Sequence, residues 1–123
     1  PPSGLGLGDL AQANLRSARM LASNFDVFHA EPDAEHHLLR DRNENEAYAT
    51  CVPGRQYAVY FPAGGTVGLD LSNAVGARFT ADILDIASSR WLGSVAGVNT
   101  ADGVVPLTTL PGPHVVLVTL DDR

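Results

Sequence analysis

Between Glu46 and Leu120 the apolar residues recur with a period of two, in short runs broken at regular intervals by glycine and proline. In an extended chain a period of two puts alternate side chains on opposite faces, so a sequence written this way builds sheets and buries one face of each. Glu46–Val52 alternates, with Ala47, Ala49 and Cys51 on one side and Tyr48 and Thr50 on the other. Pro53-Gly54 marks a turn, and Gln56–Phe61 is rich in the Tyr, Val and Phe that strands favour, so the two runs read as a hairpin. After Pro62–Gly65, Thr66–Leu71 sets Val67, Leu69 and Leu71 on one face. Arg78–Ile86 is a longer strand with Phe79, Ala81 and Ile83 together, and Asp85 in the same phase. Ala87–Ser89 turns the chain into Trp91–Val95. Val104–Leu110 contains Pro106, which cannot donate to a ladder and so predicts an edge position or a bulge. Pro111-Gly112-Pro113 leads into a strongly apolar final strand, His114–Leu120. About seven strands at this spacing, with no strand–helix alternation, predict a mainly β chain: an Ig-like antiparallel β-sandwich.

Residues 1–45 follow a different pattern. Pro1–Gly8 is loop-like, with glycines at 4, 6 and 8. Asp9 is a suitable N-cap, and Leu10, Ala11, Leu15, Ala18, Leu21, Ala22 and Phe25 then recur at spacings of three and four. This predicts an amphipathic helix over Asp9–Ser23, whose apolar stripe must pack on something. Asn24–Asp26 ends it and Val27–Ala30 continues as an irregular link. Pro32 fits the first turn of a short second helix, Asp33–Leu39. Arg40–Glu46 is a mixed-charge connector. The expected division is therefore 1–45 as a helical lead-in and 46–123 as the sandwich module.

Net charge and cysteine content exclude several function classes. The formal charge is −6, with eight basic residues, all arginine. That balance opposes both nucleic acid, whose phosphates demand a basic face, and anionic membrane surfaces. The longest apolar runs, such as Val115–Val118, are far too short to span a bilayer. Cys51 is the single cysteine, which excludes an internal disulfide and cysteine-rich zinc sites. It lies in an apolar alternating stretch and reads as a small buried hydrophobe.

No catalytic constellation assembles. His29, Glu31, Asp33, Glu35, His36 and His37 form the densest group of potential metal ligands, but adjacent histidines point apart and no zinc-protease spacing occurs. Neither a metal nor another cofactor is implied. Asp82 and Asp85 lie three apart on a strand and so face opposite ways, unlike the paired carboxylates of glycoside hydrolysis. There is no G-x-S-x-G nucleophile turn. Gly4–Gly8 precedes a helix but lacks the strand, lysine and spacing of a phosphate loop. The remaining candidates are aromatic, because sugar rings stack on exposed flat faces. Trp91, Tyr48, Tyr57 and Tyr60 are the good candidates for such stacking, and of these Trp91, Tyr60 and Tyr57 are taken as the ligand-binding residues. Trp91 either packs between the sheets or stands out as a platform. Tyr57 and Tyr60 differ by three, so one faces in and one out.

The segment Tyr57–Leu71, Ala81–Asp85 followed by a turn and Trp91, and upstream Asn14–Leu21, Phe25 and Pro32-Asp33 together resemble one known pattern. It is the C-terminal β-sandwich module of apiosidase-like bacterial glycoside hydrolases, a module that also carries a collagen-binding label. The family turn after the long strand, aspartate-proline-x-threonine-glycine, is replaced here by Asp85-Ile86-Ala87-Ser88-Ser89. The resemblance implies a non-catalytic accessory module of a secreted or periplasmic enzyme. It implies residues 9–45 as the mooring to an upstream catalytic barrel, and carbohydrate or matrix protein as the ligand class. The catalytic carboxylates of such enzymes sit on the barrel, so no catalytic residue transfers. An uncovered helix stripe would drive self-association through the N-terminal helix. The alternative is a hydrolase subunit whose site is completed by a second chain, with Glu35, His36 and His37 contributing.

Overall fold

The computed structural model describes residues 9–33, 37–42, 46–100 and 102–121, with side chains from Leu15 onward. A helix, α1 (Asp9–Ala22), and a 3₁₀ turn (Val27–His29) precede nine strands: β1 (Glu31–Pro32), β2 (Leu39–Arg40), β3 (Tyr48–Val52), β4 (Gln56–Phe61), β5 (Gly65–Asp70), β6 (Arg78–Asp85), β7 (Arg90–Val98), β8 (Val104–Thr109) and β9 (His114–Leu120). They form a six-stranded sheet in the order β1-β3-β4-β9-β6-β7 and a three-stranded sheet in the order β2-β5-β8. All pairings are antiparallel. The seven strands expected after Glu46 are β3 to β9, and β1 and β2 add one strand to each sheet from the segment before it. Pro106 lies on β8, the edge of the smaller sheet, where a missing donor costs nothing.

The core lies between the sheets. Val59 and Phe61 of β4, Val67 and Leu69 of β5, Ala81 of β6, Leu107 of β8 and Val116 and Val118 of β9 belong to one buried cluster, and Leu71 closes it after β5. Full burial of each large side chain here contributes on the order of 1.5–3 kcal/mol. The final strand explains why the outer face of the larger sheet must also be covered. β9 sits in the middle of that sheet and is apolar on both faces, with Val116 and Val118 inward and Val115 and Leu117 outward. Together with Val52, Ala58, Leu84 and Phe25, Val115 and Leu117 form a second buried cluster. Met20 and Leu21 of α1, and Ile86 and Trp91, pack against it.

The face that α1 presents differs from the expected stripe. Ser17 is buried, Met20 and Leu21 are half-buried, and Leu15, Ala18 and Ala22 are exposed. The helix is rotated because Ser17 reaches the sheet: its hydroxyl donates to the Ile86 carbonyl at 3.0 Å and lies 3.0 Å from the Ser89 hydroxyl. At the other end Gln56 joins the helix terminus to β4. Its Nε2–H donates to the Asn24 carbonyl at 2.7 Å and its Oε1 accepts from the Asp26 N–H at 3.0 Å.

One expected element does not appear among the described residues. Among the described residues of Asp33–Leu39 there is no helix: residues 37 and 38 form a turn and Leu39 enters β2, opposite Leu69. The Asp33 carboxylate accepts from the N–H groups of His37 and Leu38 at 2.9 and 2.8 Å. The Val27–Ala30 link contains the 3₁₀ turn. The glycine lead-in, Glu35, His36, the middle of the mixed-charge run (43–45) and the last two residues lie outside the described residues.

Candidate functional site

The ladder registers align five side chains in one row across the outer face of the larger sheet: Tyr48, Tyr60, Val115, Leu84 and Trp91. α1 crosses the middle of this row. It leaves Val115 at 7% and Leu84 at 1% exposure, while Tyr48 and Tyr60 stay accessible at 42% and 38%. Beside the helix, Ser17, Ala18 and Leu21 form one wall, and Tyr60, Leu84 and Val115 the other, of an open groove of about 270 Å³.

Tyr48 and Tyr60 are direct cross-strand partners, and their rings stack with centroids 6.5 Å apart and planes inclined by 26°. This lies within the offset-stacked range that aromatic quadrupoles favour. The Arg42 guanidinium sits over the Tyr48 ring, 5.6 Å from its centroid. Arg42 is held there by its Nε–H, which donates to the Ala47 carbonyl at 2.8 Å. The Tyr48 hydroxyl donates to the Glu46 carboxylate, and that bond holds the phenol above its ordinary pKa. The surface therefore combines two aligned aromatic rings with a fixed cation and a fixed anion. The C–H face of a pyranose stacks on such rings, and its hydroxyls can bond to flanking guanidinium and carboxylate groups.

The three sequence candidates fall in three environments. Tyr60 is on this surface. Tyr57, on the opposite face of β4, is 2% exposed in the inter-sheet core. Its hydroxyl accepts the Gly54 N–H at 3.2 Å, and burial pushes its pKa up. Trp91 stands at the far end of the row, half-buried against the α1-covered cluster and not between the sheets. Three strand spacings, about 14 Å, separate it from Tyr60. Tyr48, an aromatic candidate left out of the ligand-binding set, stands beside Tyr60 on this surface. The hairpin register through Pro53–Arg55 was its signal, since a three-residue turn there pairs Val52 with Gln56 and hence Tyr48 with Tyr60. Nothing in the sequence marked Arg42.

Several of the carboxylates have local structural partners. Asp85 accepts from the Ala87 N–H and the Ser88 hydroxyl, and lies 3.9 Å from the buried His114 Nε2. Asp82 faces outward beside Leu117 while Asp85 faces His114, on the opposite side of the sheet. Asp70 accepts the Ser72 N–H, which with the Arg40 ion pair holds its pKa below the usual carboxylate range. Asp102 is held low by the Thr100 hydroxyl and the Val104 N–H. His29 bonds to Asp26 at 2.7 Å. Among the described residues no three His, Cys, Asp or Glu side chains are grouped to hold a metal ion, and no helix is long and apolar enough to cross a membrane. A larger cleft, about 810 Å³, opens where α1 ends, but its polar lining is paired internally through Gln56, Asn24 and Asp26.

No family model and no curated protein matches the sequence. Solved structures do share the fold. A glycoside hydrolase superposes with a TM-score of 0.63 at 21% identity, covering 86% of this chain and 24% of that one. A glycoside hydrolase family 5 protein from Bacteroides vulgatus ATCC 8482 superposes with a TM-score of 0.63 at 20% identity, covering 86% and 23%. The chain thus spans about a quarter of the length of these proteins, and at this identity the likeness establishes the fold alone.

Proposed function

We propose that this chain is a non-catalytic accessory module of a glycoside hydrolase, supporting a catalytic domain and offering a carbohydrate-binding surface at Tyr48 and Tyr60. The observation that carries the reading is the superposition of 86% of this chain on a minor part of two larger glycoside hydrolase chains. Two features of the molecule support it. Leu15, Ala18 and Ala22 leave one flank of α1 uncovered, at the helical spacing a docking surface needs. The paired aromatics and their charged flanks suit a hydroxylated ring better than a purely apolar partner. Residues 9–45 serve in this reading as the mooring to the catalytic domain, in an extracellular or periplasmic setting. Matrix protein is the second ligand class the module would meet there.

Two measurements on the purified chain test this. Electrophoresis through gels containing soluble polysaccharides should show retardation by at least one of them, and Tyr60→Ala, which empties an exposed position, should remove it. Incubation with chromogenic aryl glycosides should give no turnover above background. Turnover by the chain alone would refute the accessory reading, and unretarded migration in every polysaccharide would refute the surface.

A further inference from the structure

A sheet edge presents unpaired N–H and C=O groups that recruit another strand unless the edge is short, charged or interrupted by proline. Three of the four edges here are protected in these ways. β1 is two residues long and ends on Pro32, β2 is two residues long, and β8 carries an exposed Pro106. β7 is not. It is nine residues long, has no proline and no charge between Trp91 and Val98, and its one irregularity, at Leu92, leaves Gly93–Val98 regular. Leu92, Val95 and Val98 are 47%, 60% and 56% exposed along it.

The sequence of this edge is close to its own reverse. Leu92-Gly93-Ser94-Val95-Ala96-Gly97-Val98 places apolar residues at both ends, then glycine, then a small residue, around Val95. An antiparallel pair related by a two-fold axis requires that symmetry, since each residue meets the one equidistant from the axis. Gly97 has an independent reason, because a Cβ there would lie 2.7 Å from Phe79 Cζ. The symmetry of Leu92 with Val98, and of Ser94 with Ala96, has none within the chain.

We propose that β7 pairs antiparallel with β7 of a second copy of this chain about a two-fold axis at Val95, joining two six-stranded sheets into one. Val95 then faces its own copy, Ser94 faces Ala96, and Leu92 covers Val98. The central pairs fall in Gly93–Val98, which is in unbroken register with Arg78–Ile83. The register shift lies beyond it, between Ile83 and Leu84. Two chains of net charge −6 meet along an uncharged strip, so contact places no like charges opposite one another. The assembly closes at two copies because the opposite edge of the same sheet is β1, short and ended by Pro32.

The test is mass in solution by light scattering across a concentration series of the full chain. The wild type should reach twice the chain mass and fall towards the single mass on dilution. Val95→Lys, which sets two ammonium groups against each other at the axis, should hold the single mass throughout. Leu110→Lys, equally exposed but past the end of β8, should still double. Val95→Cys in a Cys51→Ala background should cross-link on mild oxidation. Directly opposed antiparallel residues have Cα atoms about 4.5–5.5 Å apart, inside the range a disulfide spans. A wild type of single mass at every concentration overturns the proposal. So does a dimer that survives Val95→Lys, as one built on the exposed flank of α1 would.

Discussion

Gln56 ties the chain leaving α1 to β4, and Gln56→Leu isolates its contribution. The residue is 9% exposed at the start of β4 and makes two short bonds to the chain leaving the helix, to the Asn24 carbonyl and from the Asp26 N–H. Leucine conserves most of the volume and removes both. Each bond contributes a net 0.5–1.5 kcal/mol, which bounds the loss at about 1–3 kcal/mol. The stranded carbonyl and N–H line the cleft at the end of α1, where water can replace the lost partner. That limits the penalty of leaving them unmade and places the expected cost near 1–2 kcal/mol. Trp91 is the single tryptophan and packs against the same cluster as Leu21 and Phe25, so its fluorescence reports helix docking as well as unfolding. With a urea slope of about 1–3 kcal/mol/M, the midpoint should fall by roughly 0.3–2 M at unchanged slope. A shift corresponding to less than about 0.5 kcal/mol would refute the assignment of Gln56 as the staple, because both bonds would then be worth nothing beyond solvation.

Gly97→Ala forces a Cβ to within 2.7 Å of the Phe79 ring, so it should destabilise the sandwich by about 1–3 kcal/mol in urea unfolding, and an unchanged midpoint would show that the ring moves freely. Asp70 has a folded pKa below its unfolded one, because the Ser72 N–H and then Arg40 favour its ionised form. Its stabilising contribution is therefore complete above the ordinary carboxylate range and is lost as pH falls through the folded pKa, so Asp70→Asn should flatten the loss of melting temperature between roughly pH 5 and 2. An acid limb as steep as the wild type's would count against this. Burial, with smaller contributions from Glu31 and Asp33, pushes the Cys51 thiol up, so its reaction with an aromatic disulfide at pH 8 should be at least about tenfold slower in the native chain than in urea; equal rates would contradict it.

The strands were legible because burial on one face writes a period of two, and Pro53-Gly54, Pro62–Gly65 and Pro111–Pro113 punctuate it. Where the reading departs from the structure, the cause is a contact distant in sequence. Pro32 and Asp33 carry the same local signal whether they open a helix or a capped turn, and the pairing of Leu39 with Leu69 decides between them. The helix stripe was counted from apolar residues alone. The buried position went to Ser17, whose hydroxyl finds a carbonyl and a second hydroxyl on the β6–β7 turn. Trp91 falls on the outer face because the irregularity opposite Ile83/Leu84 inserts Leu92 into β7 and shifts the alternation there. Of the candidate surface, the Tyr48–Tyr60 pair follows from the hairpin register, whereas Arg42 arrives from a loop that no periodicity describes.

The outer row of the larger sheet also separates the two proposed surfaces from each other. Its middle must be covered, since Val115 and Leu84 would otherwise expose an apolar face, and α1 covers it. What remains at each end has different chemistry. At one end are aromatic rings flanked by Arg42 and Glu46, suited to a hydroxylated ligand. At the other, beside Trp91, is an uncharged strand edge suited to backbone pairing. Tyr60 and Trp91 stand about 14 Å apart with a packed core between, so neither surface needs the other to move. Distant sites without shared partners act additively. Tyr60→Ala should therefore abolish polysaccharide retardation without changing the mass of the assembly, and Val95→Lys should halve the mass while leaving each chain's retention intact. If Val95→Lys also released the polysaccharide, the binding unit would be the paired edge, with carbohydrate recognised across two copies by avidity. The Tyr48–Tyr60 pair would then be only part of the site.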